Sequence, residues 1–285
     1  KLPPNLTRLN AMKVFDFDLK NVRNGIIDLS IHECSSDGRK IEFYPIFRSI
    51  LTTLPLVRLR IGRLCGISWL SHMKTLESLR VDEISRCDDC KFTLPPNLTE
   101  LKLSVSDKSM KNLSIDGIWG SLPQSLTKLR MRFTSTLPCY ICVKALPKSL
   151  KNFNLQGSQM AVLMDEGDFF NPGLEVLKFN VIFCDKIEKL FAMIPPSVTK
   201  HEFIVNGSLK SEATLPKTLV HFRADCFINE NLMKIVPPTI TSLGLISSSI
   251  TSIDKSIPIY LQMMKNLTRF QFDRFDVDVG QYFID

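Results

Sequence analysis

Cysteine carries the most versatile chemistry in this sequence. Eight cysteines occur, and four of them form two Cys-x-x-Cys pairs, Cys87-Asp88-Asp89-Cys90 and Cys139-Tyr140-Ile141-Cys142. Four thiolates at that spacing could bind zinc, and one pair alone could act as a dithiol redox motif. The repeat described below places the pairs two units apart, roughly 10 Å along a stack of strands. Neither pair has the strand-to-helix setting of a redox site, so buried or incidental thiols are expected. His32, His72, His201 and His221 are too few and too dispersed for a metal cluster. His201 replaces an apolar residue at a core position and reads as a hydrogen-bonded core histidine. Asp165, Glu166 and Asp168 share a loop but lack the alternating ligand spacing of a calcium site, so a solvated turn is expected. The chain has no phosphate-cradling glycine loop and no nucleophile elbow. No catalytic residue, metal or cofactor is therefore expected.

The remaining chemistry is charge. Lysine and arginine number 36 against 29 aspartate and glutamate, a formal +7 with a pI near 9.0. That balance favours acidic partners. No apolar run reaches the ~18 residues of a membrane span, so membrane insertion is not expected. The first residues, Lys1-Leu2-Pro3-Pro4-Asn5, hold neither an initiator methionine nor an apolar leader, which suggests a removed leader or a fragment. Scattered cysteines with none near either end read as reduced thiols and a cytoplasmic setting. Sequons at Asn5, Asn97, Asn112, Asn206 and Asn266 keep an extracellular or cell-surface setting open. Three of these five arise because the repeat itself contains Asn-Leu-Thr.

These groups must be positioned by a repeating element. Leu94-Pro95-Pro96-Asn97-Leu98-Thr99-Glu100-Leu101-Lys102-Leu103 matches Leu122-Pro123-Gln124-Ser125-Leu126-Thr127-Lys128-Leu129-Arg130-Met131. A third copy runs from Leu146 to Leu155, and others begin at Leu2, Ile194, Leu215 and Val236. Weaker copies keep only the apolar-x-x-apolar-x-apolar core. Its first position falls at residues 6, 26, 56, 76, 98, 126, 150, 174, 198, 219, 240 and 267, so steps of 20 to 30 residues tile the chain. Apolar residues at the fourth and sixth positions alternate with polar ones, the period of a strand buried on one face. Proline is expected at the start of that strand, where its missing N–H costs little. One such unit cannot bury its own apolar face, whereas stacked units share a continuous core. The expected fold is an α/β repeat over residues 1–285, a single domain of about twelve irregular repeats. A curved parallel sheet would line its concave face, with mixed helical turns and loops on the convex face. Segments 185–193 and 259–265 read as helical turns, and 134–139 and 205–208 as loops. Insertions are expected near 35–50 and 105–118.

The Leu-Pro-x-x-Leu-x-x-Leu-x-Leu phrase resembles the leucine-rich-repeat superfamily over essentially the whole chain. It is similar to the proline-punctuated repeats of bacterial effectors and to the FNIP-type repeats of social amoebae and giant viruses. Residues 122–129 and 146–153 carry the latter likeness best. The Phe-Asn-x-Pro/Ile element of FNIP repeats is missing, and effector repeats are shorter and more regular. The resemblance points to a microbial eukaryote or a virus. It also implies an asparagine at the ninth position of each unit, bonding the turn. Only Asn206 fits; Cys34, Ser106, Thr134, Ser158 and Ser248 could substitute in part, whereas Leu64, Ile84, Ile182 and Phe227 require a differently built turn.

On the strand reading, positions three, five and seven face the concave side. They hold twelve cations: Arg8, Arg58, Arg60, Arg80, Lys102, Lys128, Arg130, Arg132, Lys178, Lys200, Arg223 and Arg269. Six anions, Asp28, Asp82, Glu100, Glu202, Asp225 and Asp273, share the face. Arg58, Arg60, Arg80, Lys102, Lys128, Arg130 and Arg132 come from four consecutive units and form the candidate partner-binding patch. The function expected is a non-catalytic protein-protein scaffold for an acidic partner surface. Alternatives are the recognition part of a ubiquitin-ligase or effector assembly, a receptor ectodomain, or nucleic-acid binding. Phosphate contacts need little beyond lysine and arginine, but the scarcity of concave aromatics argues against stacking on bases.

Overall fold

The structure is a computed structural model. It describes residues 3, 5–13, 25–33, 45–65, 67–85, 92–106, 115–134, 139–157, 160–163, 170–181, 187–208, 214–227, 230–246, 257–272 and 275–277. Contacts divide the chain into two compact units, one of residues 1–137 and 145–150, the other of 138–144 and 151–285.

Each copy of the phrase folds as a turn and then a strand. The Leu98 N–H donates to the Pro95 carbonyl at 3.3 Å, and Leu126, Leu150, Val198, Leu219 and Ile240 repeat the bond to Pro123, Pro147, Pro195, Pro216 and Pro237. Proline therefore opens a four-residue turn rather than starting the strand as expected. Pro95, Pro147, Pro195 and Pro237 are buried there, and a buried residue without an N–H leaves no donor to satisfy. At the strand entry two successive N–H groups share one carbonyl of the preceding unit. Thr127 and Lys128 both donate to Thr99 at 2.9 and 3.0 Å, and Val220 and His221 both donate to Thr199.

The first unit holds six strands paired side by side and in parallel. They are β1 (Arg8–Lys13), β2 (Asp28–Glu33), β3 (Arg58–Cys65), β4 (Ser78–Ser85), β5 (Glu100–Ser106) and β6 (Lys128–Thr134). Strand alternation sends every second side chain inward, visible in the strict exposed-buried pattern of β6. Leu59, Leu79, Leu101 and Leu129 then stack in one column, and Ile61, Val81, Leu103 and Met131 in the next, all at most 2% exposed. Each such side chain contributes about 1.5–3 kcal/mol by leaving water. Leu64 and Ile84, which cannot serve as turn residues, are instead buried and paired as β3 and β4 run on to eight residues. Gly62 permits the approach of β2, since a Cβ there would lie 1.9 Å from the His32 carbonyl oxygen.

The second unit repeats the plan with β8 (Asn152–Gly157), β10 (Val176–Val181), β11 (Lys200–Ser208), β12 (His221–Phe227), β13 (Ser242–Ile246) and β14 (Arg269–Phe272) in parallel. The short β15 (Phe275–Val277) turns back antiparallel to β14. A separate two-stranded parallel pair, β7 (Cys139–Cys142) and β9 (Met160–Leu163), lies in the returns. The core is more aromatic here. Phe153 and Phe179 meet edge to face at 5.7 Å, and Phe191 and Phe203 at 4.9 Å.

The helical readings of 185–193 and 259–265 correspond to helices Ile187–Ala192 and Ile257–Met263. Residues 205–208, expected as a loop, continue β11 as strand after a register shift against β12. Helices Pro45–Thr53 and Ile115–Gly120 occupy the ends of the two expected insertions. No helix of the described residues is long and apolar enough to cross a membrane.

Candidate partner-binding face

Parallel register turns the alternation of each strand into rows running across the sheet. In the first unit the central row reads Asn10, Ser30, Arg60, Arg80, Lys102, Arg130, each paired with the next. Four cations are thus consecutive, spanning about 14 Å at the usual ~4.8 Å strand spacing. The neighbouring row reads Arg8, Asp28, Arg58, Ser78, Glu100, Lys128. Arg132 stands beside Ser104 one step along β6. All seven patch residues named from the sequence lie on this one face.

They are not equivalent. Asp28 is held by Arg8 at 2.8 Å and Arg58 at 3.3 Å. Asp82 is held by Arg60 at 3.2 Å and Arg80 at 2.7 Å. Burial alone would raise the Asp82 carboxyl, but the bonds and charges of Arg80 and Arg60 together bring it below the ordinary carboxylate value. Exposed ion pairs of this kind stabilise little; their effect is to decide which cations remain available. Among the described residues, Lys102, Lys128, Arg130 and Arg132 form no ion pair. Lys128, Arg130 and Arg132 are exposed. Partial burial, then the positive charges of Arg80 and Arg130, push the Lys102 ammonium below its usual range. The half of the patch on β3 and β4 is therefore compensated from within, while the half on β5 and β6 is not.

The second unit balances its face around one carboxylate. Glu202 lies 2.7 Å from Lys178, 3.7 Å from Lys200 and 3.6 Å from His221. The bond from His221 is the largest influence, and with the two lysines it outweighs burial and lowers Glu202 to about 2. Arg223 extends across Gly244, where an added Cβ would lie 3.1 Å from the arginine side chain. Among the described residues, cations are thus compensated around Asp28, Asp82 and Glu202, while those of β5 and β6 are not.

His201 is fully buried, and its Nδ1–H donates to the Leu177 carbonyl at 3.1 Å, as its core position implied. Its ring stacks on Phe203 and Phe222, with Phe191 edge-on. The Nε2 has no partner among the described residues, and burial lowers the imidazole to about 4. Cys142 ends β7 as a free thiol, whereas Cys87, Cys90 and the carboxylates Asp165, Glu166 and Asp168 lie outside the described residues. Among the described residues no three His, Cys, Asp or Glu side chains gather as a metal site would require.

A set of residues not singled out from the sequence binds successive units together. In seven of the units the residue just before the leading apolar position is a hydroxyl or amide that donates to a carbonyl of the preceding unit. Ser125 Oγ reaches Pro96 and Leu98 at 2.8 Å, and Ser149 Oγ reaches Gln124 and Leu126 at 2.6 and 2.7 Å. Thr75, Asn97, Ser197 and Thr239 do likewise, and Thr218 bonds Pro196 and Val198. The ladder sought nine residues into each unit is thus realised at its entrance, with Thr134 adding a bond to Val105 from the ninth position.

No protein-family model matches the sequence, and no curated protein matches it. Two solved structures are similar in fold. CroV588, described as a circular leucine-rich-repeat protein, shares 18% identity and a TM-score of 0.44 over 95% of this chain and 44% of its own. The internalin InlF of Listeria monocytogenes shares 14% identity and a TM-score of 0.50 over 87% of this chain and 66% of its own. The chain thus spans less than two thirds of the length of either. The likeness to the internalin and the parallel turn-strand units of each compact unit agree on a leucine-rich-repeat fold.

Proposed function

We propose that the chain is a non-catalytic protein-interaction scaffold, working in the cytoplasm, that binds an acidic partner surface through the basic sheet face of its first unit. The observation that carries this reading is the set Lys102, Lys128, Arg130 and Arg132, cations on adjoining strands with no ion pair among the described residues. Keeping like charges side by side costs free energy unless an anion meets them. The compensated residues Arg58, Arg60 and Arg80 would extend the contact and orient it. The two rows from Arg8 to Lys128 and from Asn10 to Arg130 carry no aromatic side chain, so single-stranded nucleic acid would find no stacking platform along them.

The test is quantitative co-purification of a partner with the wild-type chain, then with Arg130→Glu/Arg132→Glu. Both residues are exposed, so the fold should survive, which circular dichroism checks. Affinity should fall by at least about tenfold, equivalent to ~1.4 kcal/mol, and wild-type binding should weaken as salt rises. Arg58→Glu should cost less, because Asp28 already satisfies that guanidinium. Unchanged retention of the partner by the double variant would remove this face from the mechanism.

A further inference from the structure

We infer that the uncompensated half of the patch is a phosphate site, taking a phosphorylated side chain of the protein partner over β5 and β6. This rests on the acidic-partner reading and narrows it. Arg130 and Arg132 stand on the same side of one strand, about 6.7 Å apart along it. Lys102 is paired beside Arg130, and Ser104 beside Arg132. Lys128 completes the column on β6. Two guanidiniums, two ammoniums and one hydroxyl are therefore carried on one face of two paired strands. Among the described residues the Ser104 hydroxyl has no hydrogen-bond partner, so a fifth donor group is open.

A carboxylate brings one negative charge and two coplanar oxygens. A phosphomonoester brings roughly −1.5 to −2 and three terminal oxygens pointing in different directions. The latter suits several donors carried side by side on two strands better, since its three oxygens can engage both guanidiniums and still reach an ammonium. The neighbouring carboxylates have partners of their own, although Glu100 is in register with Lys128. Asp82 is held by Arg60 and Arg80 on the far side of Lys102, and Glu100 accepts from Ser78 at 3.3 Å. A nucleic-acid backbone also carries phosphates, but it needs a longer run of open cations than two strands supply. The adjoining strands β3 and β4 have Arg58, Arg60 and Arg80 already paired.

The test uses the whole chain and three fluorescent peptide pools, degenerate except for a central phosphoserine, glutamate or serine. Anisotropy titrations should show the phosphoserine pool binding at least about tenfold tighter than serine and about threefold tighter than glutamate. Arg130→Gln/Arg132→Gln should abolish the preference, whereas Lys217→Gln, at an exposed turn of the second unit, should leave every affinity within about twofold of wild type. Equal binding of the phosphoserine and glutamate pools would overturn the phosphate inference while leaving the acidic-partner reading intact. A preference that survives the double substitution, or displacement of the phosphoserine pool by oligo(U) RNA at lower concentration than by itself, would also overturn it. Binding of no pool at all would overturn both readings.

Discussion

His201 fills a place where the units on either side carry Leu177 and Phe222, and its ring is packed as theirs are. Its polarity nevertheless links the core to pH. Free imidazole titrates near 6.5, whereas burial holds His201 at about 4. Above pH 6.5 both folded and unfolded chains are neutral at this residue, and its contribution is fully present. As pH falls from 6.5 towards 4 the unfolded chain takes up a proton that the folded chain refuses, so stability declines. The slope approaches ~1.4 kcal/mol per pH unit and amounts to about 3 kcal/mol over the window. Below 4 the residue adds no further dependence. His201→Phe should therefore flatten the loss of urea resistance between about pH 7.5 and pH 4.5, at the cost of the bond to Leu177. Identical slopes for wild type and variant would show that the imidazole is not what titrates. Sequence placed this histidine in the core from its register alone, but its depressed basicity depends on Phe191, Phe203 and Phe222, which converge only in the fold.

At the scale of the element, one turn and one strand recur, and what joins unit to unit is a line of side-chain donors. Ser125 and Ser149 each serve two carbonyls of the unit before. Ser125→Ala and Ser149→Ala should each lower stability by about 1 kcal/mol, the net value of a hydrogen bond in water. Ser125→Thr, which keeps the hydroxyl as Thr218 and Thr239 do, should restore most of the loss. Urea unfolding of the three variants measures this, and an alanine chain as stable as wild type would reduce the ladder to ornament. The strands were legible from the sequence because a period of two, anchored by Leu-Pro, admits one register: Leu101, Leu129, Phe153 and Leu177 are buried as that register requires. The ladder was not, although Ser125 and Ser149 stand within the repeated phrase itself. The resemblance directed attention to a ninth position, where Leu64 and Ile84 prove to be core residues. Short helices such as Glu230–Ile235 escaped notice because six residues hold too little period to read. The division of the basic face was equally hidden. Whether Asp82 satisfies Arg60, 22 residues away, depends on lateral pairing rather than on spacing along the chain.

Across the whole molecule, strands contact their immediate neighbours, so stability is built from local increments and can fail locally. The groups that respond to acid are unevenly shared between the two compact units. In the second unit burial lowers His201 from its ordinary 6.5 to about 4, within the core, and Glu202 drops to about 2 beside it on the opposite face. In the first unit the groups displaced from ordinary values, Asp82 and Lys102, lie on the sheet's solvent-facing side. Glu202 stabilises the fold fully above 4.5, its unfolded value, and loses that contribution only as pH falls from there through 2. Asp82 likewise stabilises fully above 3.8 and loses that contribution only below it. Near pH 4.5, then, both carboxylates still stabilise, whereas His201 has weakened its surroundings. Hydrogen exchange at that pH, corrected for intrinsic rates and compared with neutral pH, should lose protection first in β10, β11 and β12, while β3 to β6 stay protected. The pairing of Leu177, His201 and Phe222 across those three strands is why the loss should centre there. Uniform loss over both units, or earlier loss in the first, would mean that acid acts through the general charge of the chain, a formal +7 at neutral pH, and not through one buried ring.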